Sequence, residues 1–419
     1  MRFVDNSTGE TILAGKESRE NDKIEAPRRS RARRWALKSV VNKLLPSSRT
    51  ATCQVLRAPF KNKDTGVLAT GSLKIRLNNA TKKAYYKGLM SCGSVWTCPV
   101  CAAKISERRR VELKDGLDIA KKKGLKAHFV TLTFPHGVGD NLSLIRRKMS
   151  KAYGKLSNGK YSVKTQLKNI NPDYDITGFI RAVEVTHGRN GFHPHVHMIV
   201  LTPKSVTCDT LELVYKNSWA RACRLSGLPI PHDVYGCTVK DGSKAAAYAS
   251  KWGLEDEMTK ANIKISSRKG ATPWGLLDAV LSQDNDDYSP ERAGKLFKIY
   301  ADAFKGSRQL YWSNGLRKLL GLGVDLTDEE IAAKEGLEND TDLAELNVEQ
   351  WRLIRKYKIE AKVLDIAEIQ GRDKLLQFIF NLTGEDSSVY NSMYPLSSIP
   401  LCEEIEAFEI YSIDPPSKY

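Results

Sequence analysis

A chain of 419 residues with 41% hydrophobic side chains and a mean hydropathy of −0.40 can build two or three domains around sizeable cores. No run reaches eighteen apolar residues and the N-terminus lacks a basic-then-apolar leader, so neither a membrane span nor a secretory signal is expected. The net charge of +17 is unevenly spread: residues 324–419 hold 21 acidic and 9 basic side chains, leaving 57 basic against 28 acidic in 1–323, a density that points to nucleic acid as partner.

In chain order, residues 1–50 read as a disordered basic arm around RRSRARRW (28–35), with at most a short basic helix. Residues 51–125 form a cysteine-bearing module that closes with the charged helix ISERRRVELKDGLDIAKKKG (105–124), whose Arg108, Arg109 and Arg110 are candidate DNA contacts. Residues 126–323 begin with alternation in HFVTLTF (128–134), a strand. A basic helical stretch follows over 141–170, then a hairpin of GFIRAVEVT (178–186) and VHMIVL (196–201). LELVYKNSWARACRLSG (211–227) has helical spacing, GCTVKDG (236–242) is a short strand, and SKAAAYASKWG (243–253) is an alanine-rich helix. Residues 290–323 read as helical and basic, and 324–419 as an acidic helical region. Hairpins mixed with helices make the fold class α+β with an antiparallel sheet.

Three sets of residues carry chemistry. In CGSVWTCPVC (92–101), Cys92, Cys98 and Cys101 contain a Cys-Pro-x-Cys knuckle, a common way to bring two thiolates to one structural Zn²⁺. A redox pair fits less well, because no βαβ pattern surrounds it. Trp96, Tyr85 and Tyr86 can stack bases or fill a core. The remaining cysteines form no secreted-type framework, which suits a reducing cytoplasm.

In GFHPHVHMIVL (191–201), His193, His195 and His197 alternate, so on a strand all three face one way. Asn190-Gly191 is a two-residue turn signal that sets Glu184 opposite His197 and Thr186 opposite His195. Two imidazoles and one carboxylate suit Mn²⁺ or Mg²⁺ with positions left for phosphate oxygens. Pro194 cannot donate to a ladder, so the regular strand is expected to start after it, leaving His193 as the outlying ligand. Third, Lys244, Tyr248 and Lys251 share one helix face, where flanking ammonium groups favour a phenolate and neutralise an incoming phosphate.

In combination these residues resemble HUH endonucleases, whose His-hydrophobe-His signature is HVH here. VTLTFPH (130–136), GFHPHVHMIVL and AAAYASKW (245–252) follow the order of motifs 1, 2 and 3 of rolling-circle replication initiators. The group most similar carries an upstream cysteine cluster and a downstream stretch like GSRQLYWSNGLR (306–317); the resemblance spans roughly 53–323. It implies a five-stranded antiparallel sheet with His195 and His197 on a central strand, and Cys53 as fourth zinc ligand. It also implies attack by Tyr248 on single-stranded origin DNA, giving a 5′-phosphotyrosyl link and a free 3′-OH, with Lys251 at the motif 3 lysine position. Host helicase and polymerase, and a second copy of the chain, are the further partners it suggests. Relatives that place a glutamate four residues before the tyrosine differ from this chain, which has Lys244 there; Glu255 and Glu257 are substitute carboxylates. A relaxase, a transposase or a non-catalytic zinc-containing DNA-binding regulator are the alternatives.

Overall fold

The computed structural model describes residues 3–4, 11–12, 17–61, 66, 68–242, 270–282, 287–334, 336 and 339–383. A two-residue ribbon, β1 (Phe3–Val4) with β2 (Thr11–Ile12), precedes α1 (Glu17–Leu44). The arm expected to lack structure is therefore largely one helix. Its charged face hid an apolar one: Trp35, Leu37, Val40 and Val41 are buried, and Arg31 reaches Asp365 at 2.6 Å and also pairs with Glu368. A charge run looks solvated when its acidic partners lie more than 300 residues away.

After the short α2 (Arg49–Thr52) come the ribbon β3 (Pro59–Lys61) with β4 (Leu68–Thr70), then β5 (Leu73–Leu77) and β6 (Ala84–Lys87). The knuckle opens α3 (Pro99–Lys122), with Cys98 at the N-cap and Pro99 in the first turn.

The main sheet is built from α3 onward. Its strands are β7 (Lys126–Leu132), β8 (Gly178–Gly188), β9 (Gly191–Thr202), β10 (Cys237–Asp241) and β11 (Leu310–Trp312). All pairings are antiparallel, in the order β10-β7-β9-β8-β11, so β9 is central. β11 falls inside the stretch read as helical; three residues at a sheet edge are too few to show a period. Helices α4 (Leu142–Ser157), α5 (Val163–Ile170) and α6 (Cys208–Ser226) lie between the strands. Serine, threonine and asparagine N-caps start all three, and Gly227 at φ 70° stops α6.

The two sheet faces are covered differently. Val130, Leu132, Val183, Val185, Val196, Met198 and Val200 pack under α4, α6 and the helices Pro273–Ser282 and Pro290–Phe304. On the opposite face Phe129, Ile180, Ile199 and Leu201 meet Leu113 and Ala120 of α3 and Leu316 and Leu320. Among the described residues that cover stops short of the β8–β9 turn, and the part-buried histidines lie beyond it.

The segment beyond 324 adds a strand, β12 (Thr341–Leu346), which pairs with β5 in a three-stranded sheet of order β12-β5-β6. Helices Val348–Lys356, Glu360–Ile369 and Gly371–Thr383 pack on that sheet. Trp351 donates to the carbonyl of Val55 at 2.9 Å and its ring meets Tyr86 edge-on at 5.0 Å. Sequence-distant segments thus share one core with the cysteine module. Among the described residues no helix is long and apolar enough to cross a membrane.

Candidate functional site

The hairpin fixes the site. Gly188 pairs with Gly191, so the turn is Arg189-Asn190 rather than Asn190-Gly191. Neither turn residue has positive φ; Gly191 does, at 83°. The loop is therefore a turn followed by a glycine in the left-handed region, not the primed turn that the dipeptide suggested. A Cβ on Gly191 would also lie 2.9 Å from the carbonyl oxygen of Gly137. The register accordingly moves by two: Glu184 faces His195, and Thr186 faces His193. A shift of two preserves side-chain parity, so Glu184 keeps its place on the imidazole face. Pro194 lies within the strand, paired to Val185. The β7 ladder ends at Leu132 and Val196, leaving an open side for a residue without an N–H.

Glu184, His195 and His197 converge. Glu184 Oε2 lies 3.3 Å from His195 Nε2 and 3.6 Å from His197 Nε2, and one ligand atom from each residue falls within 4.8 Å of the others. Burial works against the carboxylate charge, but hydrogen bonds from His195 and His197 hold Glu184 at about 2. The far nitrogens are engaged elsewhere. His195 Nδ1 lies 3.2 Å from the carbonyl of His193, which can only accept, so Nδ1 carries a proton and Nε2 is the ring atom turned toward the carboxylate. His197 Nδ1 sits 3.0 Å from Thr131 Oγ1, and its ring stacks on Phe129. Orientation of the distal nitrogen by a fixed partner is the usual support for a metal-ligating histidine. The donor set fits a hard or borderline divalent cation.

His193 does not join this group. Its Nε2 is taken by Thr133 Oγ1 at 2.5 Å, its ring stacks on His136 at 4.5 Å, and burial pushes it down to about 4. Thr131, Thr133 and His136 were not singled out from the sequence. The signal was available: VTLTFPH places two threonines at alternate positions on the strand beside HVH. Tyr248, Lys251, Lys244, Glu255 and Glu257 all lie outside the described residues. The described chain leaves β10 at Gly242 and resumes at Gly270, next to Ala271, which pairs with His187 on the strand carrying Glu184.

Cys53, Cys92, Cys98 and Cys101 form a second group, all buried. Sulfur separations are 3.7 Å for Cys53–Cys98, 3.4 Å for Cys53–Cys101 and 3.8 Å for Cys92–Cys101. Four sulfurs about 2.3 Å from a common centre in a tetrahedron stand roughly 3.8 Å apart, so the spacing fits one tetrahedral ion. Backbone N–H groups of Cys92, Ser94 and Cys101 donate to Cys53, Cys92 and Cys98 sulfurs respectively. Burial pushes the Cys98 thiol up, whereas hydrogen bonds from Cys101, Cys53 and Cys98 pull Cys92 down. Four buried thiolates without a cation would repel; a dication removes that conflict.

The aromatic and basic residues of this module are engaged internally. Trp96 and Tyr86 are buried, donating to the carbonyls of Ser307 and Glu360, and Tyr85 donates to Asp340. They fill the core or tie loops together and offer no stacking platform. Arg109, 14% exposed, binds Asp325 at 2.8 Å, Glu112 at 3.3 Å and Asp328 at 3.5 Å. Arg110 pairs with Glu107 at 2.6 Å and Arg108 with Glu112 at 3.1 Å, both nearer the surface. Arg109 is an internal anchor, because two of the three acids that hold it, Asp325 and Asp328, come from beyond residue 324.

A family model described as "Replication protein" matches residues 89–363. A curated "Protein rep" of Streptomyces lividans is 26% identical over 354 residues, 68% of this chain and 76% of the relative. A "Protein rep" of Lentilactobacillus hilgardii is 29% identical over 140 residues, covering 32% of this chain and 41% of the relative. A "Neomycin resistance protein" of Streptomyces cyanogenus is 31% identical over 134 residues, covering 27% and 31%. No solved structure gives a significant match.

Proposed function

Because this chain belongs to the replication protein family, the rolling-circle initiators its motifs resemble, we propose that it starts replication by nicking single-stranded origin DNA through Tyr248. The observation that carries this reading is the convergence of Glu184, His195 and His197 on one face of the sheet. These three residues would hold one divalent cation, Mn²⁺ or Mg²⁺. When bound, that ion supplies Lewis-acid polarisation of a non-bridging phosphate oxygen.

The protein's own groups do the rest. Thr131 and the His193 carbonyl keep both Nε2 atoms aimed at one point. The phenolic oxygen of Tyr248 attacks phosphorus; the new bond is a 5′-phosphotyrosyl ester, and the bond to O3′ breaks, with a proton ending on the free 3′-OH. Lys244 and Lys251 favour the phenolate and neutralise phosphate charge. The Cys53–Cys92–Cys98–Cys101 group is read as a structural Zn²⁺ site that fixes the start of α3. Arg108 and Arg110 remain surface candidates for DNA on that helix.

The test uses overlapping single-stranded oligonucleotides tiling the replicon that encodes the chain, with Mn²⁺, and a denaturing gel. A covalent adduct is expected with the native protein and is lost in both Tyr248→Phe and His197→Ala. An adduct that persists in Tyr248→Phe removes this tyrosine from the mechanism, and one that persists in His197→Ala removes the metal assignment.

A further inference from the structure

Between Leu142 and Ile170, the span of α4 and α5, the chain has eight lysines and arginines and not one aspartate or glutamate. Other acid-free basic stretches exist, but arginines of residues 28–63 are tied into the fold by carboxylates from far along the chain: Arg31 pairs with Asp365 and Glu368, and Arg33 with Asp278. α4 buries Ile145, Met149, Ala152, Tyr153 and Leu156 against the sheet, which turns Arg147, Lys151 and Lys155 outward. These three lie at i, i+4 and i+8, a straight row with a step of about 6 Å per turn. Among the described residues no carboxylate pairs with any of them, whereas Lys164 and Lys168 of α5 share Asp175. α6 packs beside α4 and adds Arg221 and Arg224, both exposed. The Arg221 guanidinium lies 3.8 Å from the ring centroid of Tyr161, itself 42% exposed.

We infer that the outer faces of α4 and α6 form a second DNA-binding surface, which holds duplex DNA and is separate from the metal site. The sheet side chains beneath these helices, such as Val183, Val196 and Met198, have the opposite parity to Glu184, His195 and His197. The sheet therefore stands between the two surfaces, and DNA held here is not the strand being cut. A binder of single strands needs a groove with several open aromatic rings. This surface has two side-by-side rows of cations and one exposed ring, already covered by Arg221, so it suits the phosphates of a duplex. The inference deepens the nicking reading by assigning the flanking duplex a place on the molecule.

The experiment compares the full chain with an Arg147→Gln, Lys151→Gln, Lys155→Gln variant, using a mixed-sequence 30-base-pair duplex and fluorescence anisotropy across a salt series. All three residues are exposed, so melting temperature should be unchanged. Each lost phosphate contact lowers the slope of log affinity against log salt by about 0.9, so the slope should fall by about 2 to 3. A control removes equal charge from α3 through Lys114→Gln, Lys121→Gln and Lys122→Gln, and should keep most of the slope. If the α4 variant binds duplex with the native slope, or the control loses as much, the surface is not a site. Duplex binding is read without nicking, so loss of the slope in a protein that forms no tyrosine adduct leaves this surface standing and overturns only the nicking reading.

Discussion

Replacing Thr131 by valine keeps a β-branched side chain of nearly the same shape on β7 and removes one hydroxyl. That hydroxyl lies 3.0 Å from His197 Nδ1 and holds the ring with Nε2 toward Glu184. Without it, the Thr131–His197 hydrogen bond is lost, and the ring is held less firmly at the point where the three ligand atoms meet. Loss of such an outer partner typically weakens a metal site 10- to 100-fold, about 1.4 to 2.7 kcal/mol. Mn²⁺ binding measured by titration calorimetry should show a dissociation constant raised by that factor. Thr133→Val is the matched comparison. Its hydroxyl bonds His193, which stands outside the converging group, so Mn²⁺ affinity should change by less than about twofold. Native affinity in Thr131→Val, or an equal loss in Thr133→Val, would refute the assignment of ligands and supports.

Three further outcomes follow from the same structure. Cys53→Ser should purify with substoichiometric zinc by mass spectrometry and melt at lower temperature, because it removes one of four buried thiolates; full zinc content would exclude Cys53 as a ligand. His128 is fully buried, bonded to Thr202 at 2.9 Å, and burial, reinforced by Lys126, pushes it down to about 4. The unfolded chain therefore binds the extra proton between pH 6.5 and 4. Stability is complete above about 6.5 and falls by roughly 3 kcal/mol as the pH drops through that window, a slope that denaturant melts should find shallower in His128→Gln. Gly191→Ala should cost at least about 1 to 2 kcal/mol in urea unfolding through its left-handed backbone, with the contact to Gly137 adding to it; an unchanged midpoint would contradict the left-handed conformation at Gly191.

What could be read from the sequence follows from the range of each signal. Alternation in GFHPHVHMIVL put His195 and His197 on one face with Glu184, because parity survives a register error of two. The register itself did not survive, since it depends on the φ angles of Asn190 and Gly191, and either turn was compatible with Asn-Gly. His193 obeys the alternation but lies beyond the last β7 pair, where Thr133 and His136 capture its ring. The union of Cys53 with the knuckle came only from the resemblance, as a spacing of 39 residues carries no local pattern. Nothing local announces β12 either: its partner β5 lies more than 260 residues away, and Lys74–Asp342 at 2.7 Å joins two stretches with no common period.

The division of charge takes on a different meaning once these long-range pairs are drawn. Read linearly, the acidic stretch beyond 324 is an appendage and the basic stretches before it are DNA-facing. In the fold, Asp365 and Glu368 hold Arg31, Asp325 and Asp328 hold Arg109, and Asp342 holds Lys74 and Arg76. In part-buried pairs of this kind the Coulomb attraction is offset by the cost of desolvating both charges, so their main effect is not stability. They withdraw Arg31 and Arg109 from solvent, whereas Arg147, Lys151 and Lys155 of α4 have no carboxylate partner among the described residues and keep their charge outward. A polyanion approaching the molecule therefore meets a field set less by where the basic residues fall in the sequence than by which of them the acidic segment has already claimed.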